Sequence, residues 1–170
     1  MRQGCRDGLF SGRCSWLGEY RESVIRGKDL TQRQRTFLAK EGCLIEIMKG
    51  WYLLAPPGVD AGDTTLWHGN YWAFLAFYLE ERFGDDYCVT AETSLDLWAG
   101  QTKTPTQAIV MTRSGGNNQL TLNFGSSLLA YRDEARMPPR VTKLRGRVRV
   151  CSKSTQAEGK EGIFERTSSA

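Results

Sequence analysis

The residue pattern predicts an α+β protein, and three observations carry that prediction. Residues 29–54, DLTQRQRTFLAKEGCLIEIMKGWYLL, read as a short basic helix running straight into a tight β-hairpin. Residues 63–83 carry aromatic side chains at helical spacing. Beyond them, short β-forming runs alternate with turn-forming residues. A length of 170 residues suits one domain with a real core, or a domain plus a small appendage. With 40% hydrophobic and 25% charged residues, the composition is that of an ordinary globular chain.

In chain order, residues 1–28 are rich in Gly and Arg and hold at most one helix, around Trp16 to Ile25. In the next run Leu30, Phe37 and Leu38 fall on one side of a helical wheel, while Gln32, Arg33, Arg35, Thr36 and Lys40 crowd the other. One face packs and the other is left basic. Asp29 with Gln32 three residues on is placed to close a capping box, and Gly42 stands where a helix wants a left-handed residue. Cys43 to Ile47 alternates with β character, Lys49-Gly50 suits a hairpin turn, and Trp51 to Leu54 returns. Lys49 is therefore expected at the hairpin tip. A helix feeding such a hairpin is the recognition half of a winged helix, so residues 1–55 are read as a winged-helix-like unit. A full winged helix has two helices ahead of the recognition helix, and residues 1–28 fall short of supplying them.

Arg and Gln side chains make paired hydrogen bonds to purine edges in the major groove, while Lys, Thr and backbone amides hold phosphate oxygens. Gln32, Arg33 and Arg35 are the candidates for bases, and Thr36, Lys40 and Lys49 for the phosphate backbone. The alternative is a solvated charged face, since helix-then-hairpin units also occur in domains that bind nothing.

Pro56-Pro57-Gly58 through Gly62 reads as a linker. Asp63 or Thr64 can cap a long helix through about Phe83, with Gly84 as its stop. Trp67, Tyr71, Phe74, Leu75 and Tyr78 form its aromatic stripe, widened by Trp72. A base-stacking platform wants positive charge, which this helix almost lacks, so the stripe is read as scaffold. Tyr87 to Val89 make a brief strand, and Thr90 caps a short helix, AETSLDLWA, ended by Gly100. Gln107 to Thr112 and Gln119 to Phe124 read as strands joined in a hairpin across Arg113 to Asn118. Residues 63–139 are thus expected to place an aromatic helix on a small mixed β-sheet. In residues 140–170, Val141, Leu144, Val148 and Val150 interleave with Arg140, Lys143, Arg145, Arg147, Arg149 and Lys153. They predict a basic edge-like strand, either a second polyanion contact or solvated edge protection, and then a disordered tail from Ser154.

Charge is segregated along the chain. Lys and Arg stand to Asp and Glu as 10 to 6 in residues 1–50, 1 to 8 in 51–100 and 12 to 5 in 101–170. Such a pattern suits a polyanion-binding N-terminal unit, and equally the docking of one part on another. The 5 cysteines include no Cys-x-x-Cys pair, so no disulfide framework is indicated. With 1 histidine and no clustered thiols, no metal or other cofactor is expected. No apolar run approaches a membrane span, and the first residues lack the apolar core of a signal peptide, making the reduced cytoplasm the default expectation. No enzyme is expected either. His68 has no nucleophile beside it; Glu80, Glu81, Asp85 and Asp86 look like a polar corner; Ser114-Gly115-Gly116 lacks the lysine of a phosphate loop and reads as a hairpin turn.

The strings KGWYLLAPPG, WHGNYWAFLAFYLEERFGDDY and CVTAETSLDLWAGQTKTPTQAIVMTRSGGNNQLTLNFGSSLL resemble the N-terminal region of certain bacterial Fic (filamentation-induced-by-cAMP) family proteins. More loosely, they resemble antitoxins of type IV abortive-infection toxin/antitoxin systems. The resemblance covers about Asp29 to Pro139 and implies a winged helix that binds operator DNA for autoregulation, carried here by Gln32, Arg33, Arg35, Lys40 and Lys49. The catalytic Fic motif, His-Pro-Phe followed by Gly-Asn-Gly-Arg, is absent, since Trp67-His68-Gly69-Asn70 lacks its proline, phenylalanine and arginine. The expectation is a DNA-binding, antitoxin-like regulatory module of a toxin/antitoxin or Fic locus. The alternatives are a module that restrains or positions a toxin or Fic catalytic partner without touching DNA, or a truncated remnant of a larger Fic protein.

Overall fold

A computed structural model describes residues 23–56, 58, 62–114, 117–139, 141–144 and 148–152. The chain divides into two compact units, one running to Asn70 and the other starting at Tyr71. Among the described residues the elements are α-helices and small β-sheets, the α+β composition that the sequence predicts.

The described residues of the first unit hold β1 (Val24–Arg26), a 3-10 turn (Gly27–Asp29), α1 (Gln32–Lys40), β2 (Leu44–Met48) and β3 (Trp51–Leu54). β3 is central in the order β1-β3-β2, antiparallel to both neighbours, with Val24 opposite Leu53 and Leu44 opposite Leu54. The helix expected around Trp16 to Ile25 is corrected at its end: Val24 and Ile25, both β-branched and buried, extend as a strand edge against Leu53 and Tyr52. The earlier part of that expectation lies outside the described residues.

The helix start is also corrected. The cap is Thr31, whose Oγ1 accepts the Gln34 backbone N–H at 3.3 Å while Gln34 Oε1 accepts the Thr31 N–H at 2.8 Å, a complete capping box. Asp29 instead takes two hydrogen bonds from the Arg26 guanidinium, at 2.7 and 3.1 Å. The reason is Leu30, which is buried in an extended conformation and so delays the first helical turn. The other end is as expected. Gly42 has φ +69°, its N–H reaches the Ala39 carbonyl at 3.2 Å, and the Cys43 N–H reaches Leu38 at 2.9 Å. Ile25, Leu30, Leu38 and Cys43 form the core here, with Phe37, Leu44 and Leu54 packed against it.

The long helix α2 (Thr65–Phe83) crosses the unit boundary. Asp63 Oδ1 accepts the Thr65 N–H at 2.8 Å; the Thr65 side chain first, and this N–H second, hold that carboxyl below its usual range, and Gly84 closes the helix at φ +58°. Trp67, Tyr71, Phe74, Leu75 and Tyr78 are all buried, and Trp72 is half-buried with its Nε1 donating to the Thr102 carbonyl at 3.2 Å. The stripe is therefore interior.

The second unit continues with β4 (Tyr87–Val89), α3 (Ala91–Trp98), β5 (Gln107–Thr112), β6 (Asn118–Thr121) and β7 (Ser127–Arg132). Thr90 caps α3, and Gly100 follows it at φ +85°. The sheet order is β4-β5-β7-β6, with β5 and β7 parallel and the other pairs antiparallel. A mixed sheet is thus present, but two expectations about its strands are overturned. β5 and β6 are not neighbours, because β7 lies between them, so Arg113 to Asn118 is a crossover and not a hairpin turn. β6 also ends earlier: Phe124 and Gly125 take φ +66° and +72° and reverse the chain, sealed by the Leu122 N–H to Ser126 carbonyl bond at 2.9 Å.

Past Pro139 the single basic strand is replaced by an antiparallel pair, β8 (Val141–Leu144) and β9 (Val148–Cys151). Val148, Val150 and Cys151 are buried, so β9 packs one face into the interior while its single paired neighbour, β8, leaves it an edge strand of its two-stranded sheet. Expectations for the tail from Ser154 fall outside the described residues. Among the described residues no helix is long and apolar enough to cross a membrane.

Candidate nucleic-acid interface

α1 has 9 residues, about 13.5 Å of helix, and the roughly 12 Å width of a DNA major groove admits the diameter of a helix, about 10–12 Å with side chains. Gln32, Arg33, Thr36 and Lys40 are exposed on it. Arg35 is half-buried. Its Nη2 donates to Gln32 Oε1 at 2.8 Å, its Nε is screened from solvent, and Thr36 Oγ1 donates to the Gln32 carbonyl at 2.9 Å. Gln32, Arg35 and Thr36 are therefore one bonded group. The bond uses the Gln32 amide oxygen and one Arg35 nitrogen, while Arg33 is exposed at a different position on the wheel.

Lys49 sits exposed at the tip between β2 and β3. Only Gly50 of the turn pair is left-handed, at φ +85°, so the turn lacks the two positive φ values that match strand twist best. The sheet absorbs the mismatch by a register shift between Glu46 and Met48, which leaves Ile47 as the extra, fully buried residue. The tip is held from the β1 side, where the Gly27 N–H donates to the Gly50 carbonyl at 2.7 Å. A Cβ on Gly27 would stand 3.1 Å from the Tyr52 ring and 3.5 Å from the Gly50 carbonyl oxygen. Gly27 is a positioning residue that sequence reasoning passes over, because nothing distinguishes it from its neighbours in a Gly- and Arg-rich stretch.

Over residues 23–56 six cations face three carboxylates, and Arg26 occupies one of those three, Asp29. Residues 23–56 thus carry a net positive charge of the kind that attracts a polyanion.

The carboxylates of the polar corner are engaged in the second unit. Glu80 pairs with Lys143 Nζ at 2.8 Å, Asp85 with Arg149, and Asp86 with Ser114 and Arg113. The Ser114 hydroxyl bonded to Asp86 is the main reason its carboxyl is held below the usual range, helped by the Ser114 N–H and the Arg113 guanidinium. Among the described residues no group of His, Cys, Asp and Glu could hold a metal ion. A polar depression of about 240 Å³ beside Trp72 is lined by Asp96, Lys103 and Thr93 among others. No family model matches the chain, and no curated protein matches it.

Proposed function

We propose that this chain is a DNA-binding, antitoxin-like regulatory module, with α1 lying in the major groove and the Lys49 hairpin acting as a wing on the phosphate backbone. The observation that carries this reading is the pairing of an exposed Gln32-Arg33-Thr36-Lys40 face with a rigidly pinned, lysine-tipped hairpin in one small unit. Such a unit positions itself through Lys40, Lys49 and Thr36 and reads bases through Arg33, Gln32 and the remaining donors of Arg35. The strand order β1-β3-β2 supports the reading by bracing the hairpin from the β1 side. Its target is then the promoter of its own toxin/antitoxin or Fic locus, as the resemblance of Asp29 to Pro139 implies.

A gel shift of the full chain on the DNA upstream of its gene tests the reading. The wild type is expected to shift that duplex, and Arg33→Ala with Arg35→Ala is expected to weaken binding by at least about 10-fold, since a bidentate base contact is worth about 1–3 kcal/mol. Unaltered binding by the double variant removes α1 from contention. Absence of binding by the wild type, with retention of a toxin-like or Fic-type protein, favours the protein-interaction reading.

A further inference from the structure

Cys88 on β4 and Cys151 on β9 lie with their sulfurs 3.6 Å apart. They share a sulfur-rich cluster with Met111 and Met137, flanked by Tyr131 and Val141. The backbone of Cys151 is fixed from both sides by α3 and its cap: its N–H donates to Ser94 Oγ at 3.0 Å, and its carbonyl accepts Trp98 Nε1 at 3.1 Å. Ser94 in turn donates to the Thr90 carbonyl at 2.8 Å. Cys88 is placed by its strand, opposite Met111 of β5, so the backbone on both sides of the sulfur pair is held by hydrogen bonds. A disulfide bond is about 2.05 Å long, so closing the gap takes a movement of about 1.5 Å.

We infer that Cys88 and Cys151 are a peroxide-responsive dithiol that closes to a reversible disulfide between β4 and β9. The roles of the two sulfurs follow from their surroundings. Both cysteines are buried, so only an oxidant as small as hydrogen peroxide suits the pair. The hydrogen bond shared by the two sulfurs lowers the Cys151 thiol and, with burial, raises the Cys88 thiol. In the first step the Cys151 thiolate attacks one oxygen of hydrogen peroxide and the O–O bond breaks. Cys151 becomes a sulfenic acid, and the departing hydroxide takes a proton to form water. Cys88 then loses its proton and attacks Cys151 Sγ; the S–S bond forms, the S–O bond breaks, and a second water leaves. Two thiols have lost two protons and two electrons, and one peroxide has become two waters. The product links strands 63 residues apart in sequence and locks the β8–β9 pair to β4.

Peptide mapping without reduction, on the reduced, folded full chain treated with hydrogen peroxide, tests the inference. The expected product is a cross-linked pair of peptides containing Cys88 and Cys151, lighter by two hydrogens and released by dithiothreitol, with a thermal midpoint raised by about 5 °C or more. Cys88→Ser is expected to leave Cys151 as a sulfenic acid that dimedone traps, and Cys151→Ser to leave Cys88 a thiol. The inference is overturned if both wild-type thiols remain fully alkylable after treatment, or if they proceed to sulfonic acids with no cross-link between them. The wild-type mapping decides the matter even where a serine variant does not fold.

Discussion

The Asp86 carboxylate accepts the Ser114 N–H at 2.8 Å and the Ser114 hydroxyl, with the Arg113 guanidinium 3.6 Å away. These contacts favour the ionised form in the folded chain and lower its pKa there. A lowered carboxyl contributes stability that is present above the unfolded value, about 4, and is lost as pH falls through the folded value. Asp86→Asn is therefore expected to cost about 1 kcal/mol at neutral pH, a figure kept small because the site is partly solvated. Urea unfolding across a pH series checks this: the gap from wild type should narrow below about pH 4, whereas a gap constant with pH contradicts the assignment. At this scale the sequence was most readable where one residue has one job. Gly42, Gly84 and Gly100 end helices in the left-handed region, and Asp63 and Thr90 begin them. Thr31 was misread in favour of Asp29 because both fit the cap pattern, and only the burial of Leu30 decides between them.

At the scale of elements, the hairpin depends on a neighbour that local pattern does not reveal. Gly27 donates to Gly50 and lies against the Tyr52 ring, so a branched side chain there must displace the ring or the turn. Gly27→Val is expected to destabilise the first unit by about 1–3 kcal/mol, the usual cost of overpacking. Hydrogen exchange reads the effect locally, since the amide of residue 27 should lose protection; unchanged protection and stability would show that the tip is not held from this side. Helices and single strands were largely legible, because their periodicities are written in consecutive residues. Strand partners were not. Nothing local in Gln107–Thr112 states that its neighbour is Ser127–Arg132 and not the nearer Asn118–Thr121, because parallel pairing is set by contacts distant in sequence. For β9 the same holds: alternating Arg and Val fits an edge strand, which it is, but the burial of one face, the pairing with β8 and the ion pair of Arg149 with Asp85 come from other parts of the chain.

Over the whole molecule, the opposition of an acidic middle and a basic end resolves into specific pairs within the second unit, Glu80 with Lys143 and Asp85 with Arg149. Those cations are engaged by the protein's own carboxylates. In the first unit Gln32, Arg33, Thr36, Lys40 and Lys49 remain on the surface, so the candidate interface read from the sequence keeps its exposed members. Arg35 alone is partly withdrawn, by its bond to Gln32. The salt dependence of binding to the upstream duplex tests the central claim most directly. Each phosphate neutralised contributes about −0.9 to the slope of log K against log salt, so contacts by Lys40 and Lys49 predict a slope of about −2 or steeper, reduced by about 1 in Lys49→Ala. A slope near zero, or one that Lys49→Ala leaves untouched, would contradict the account.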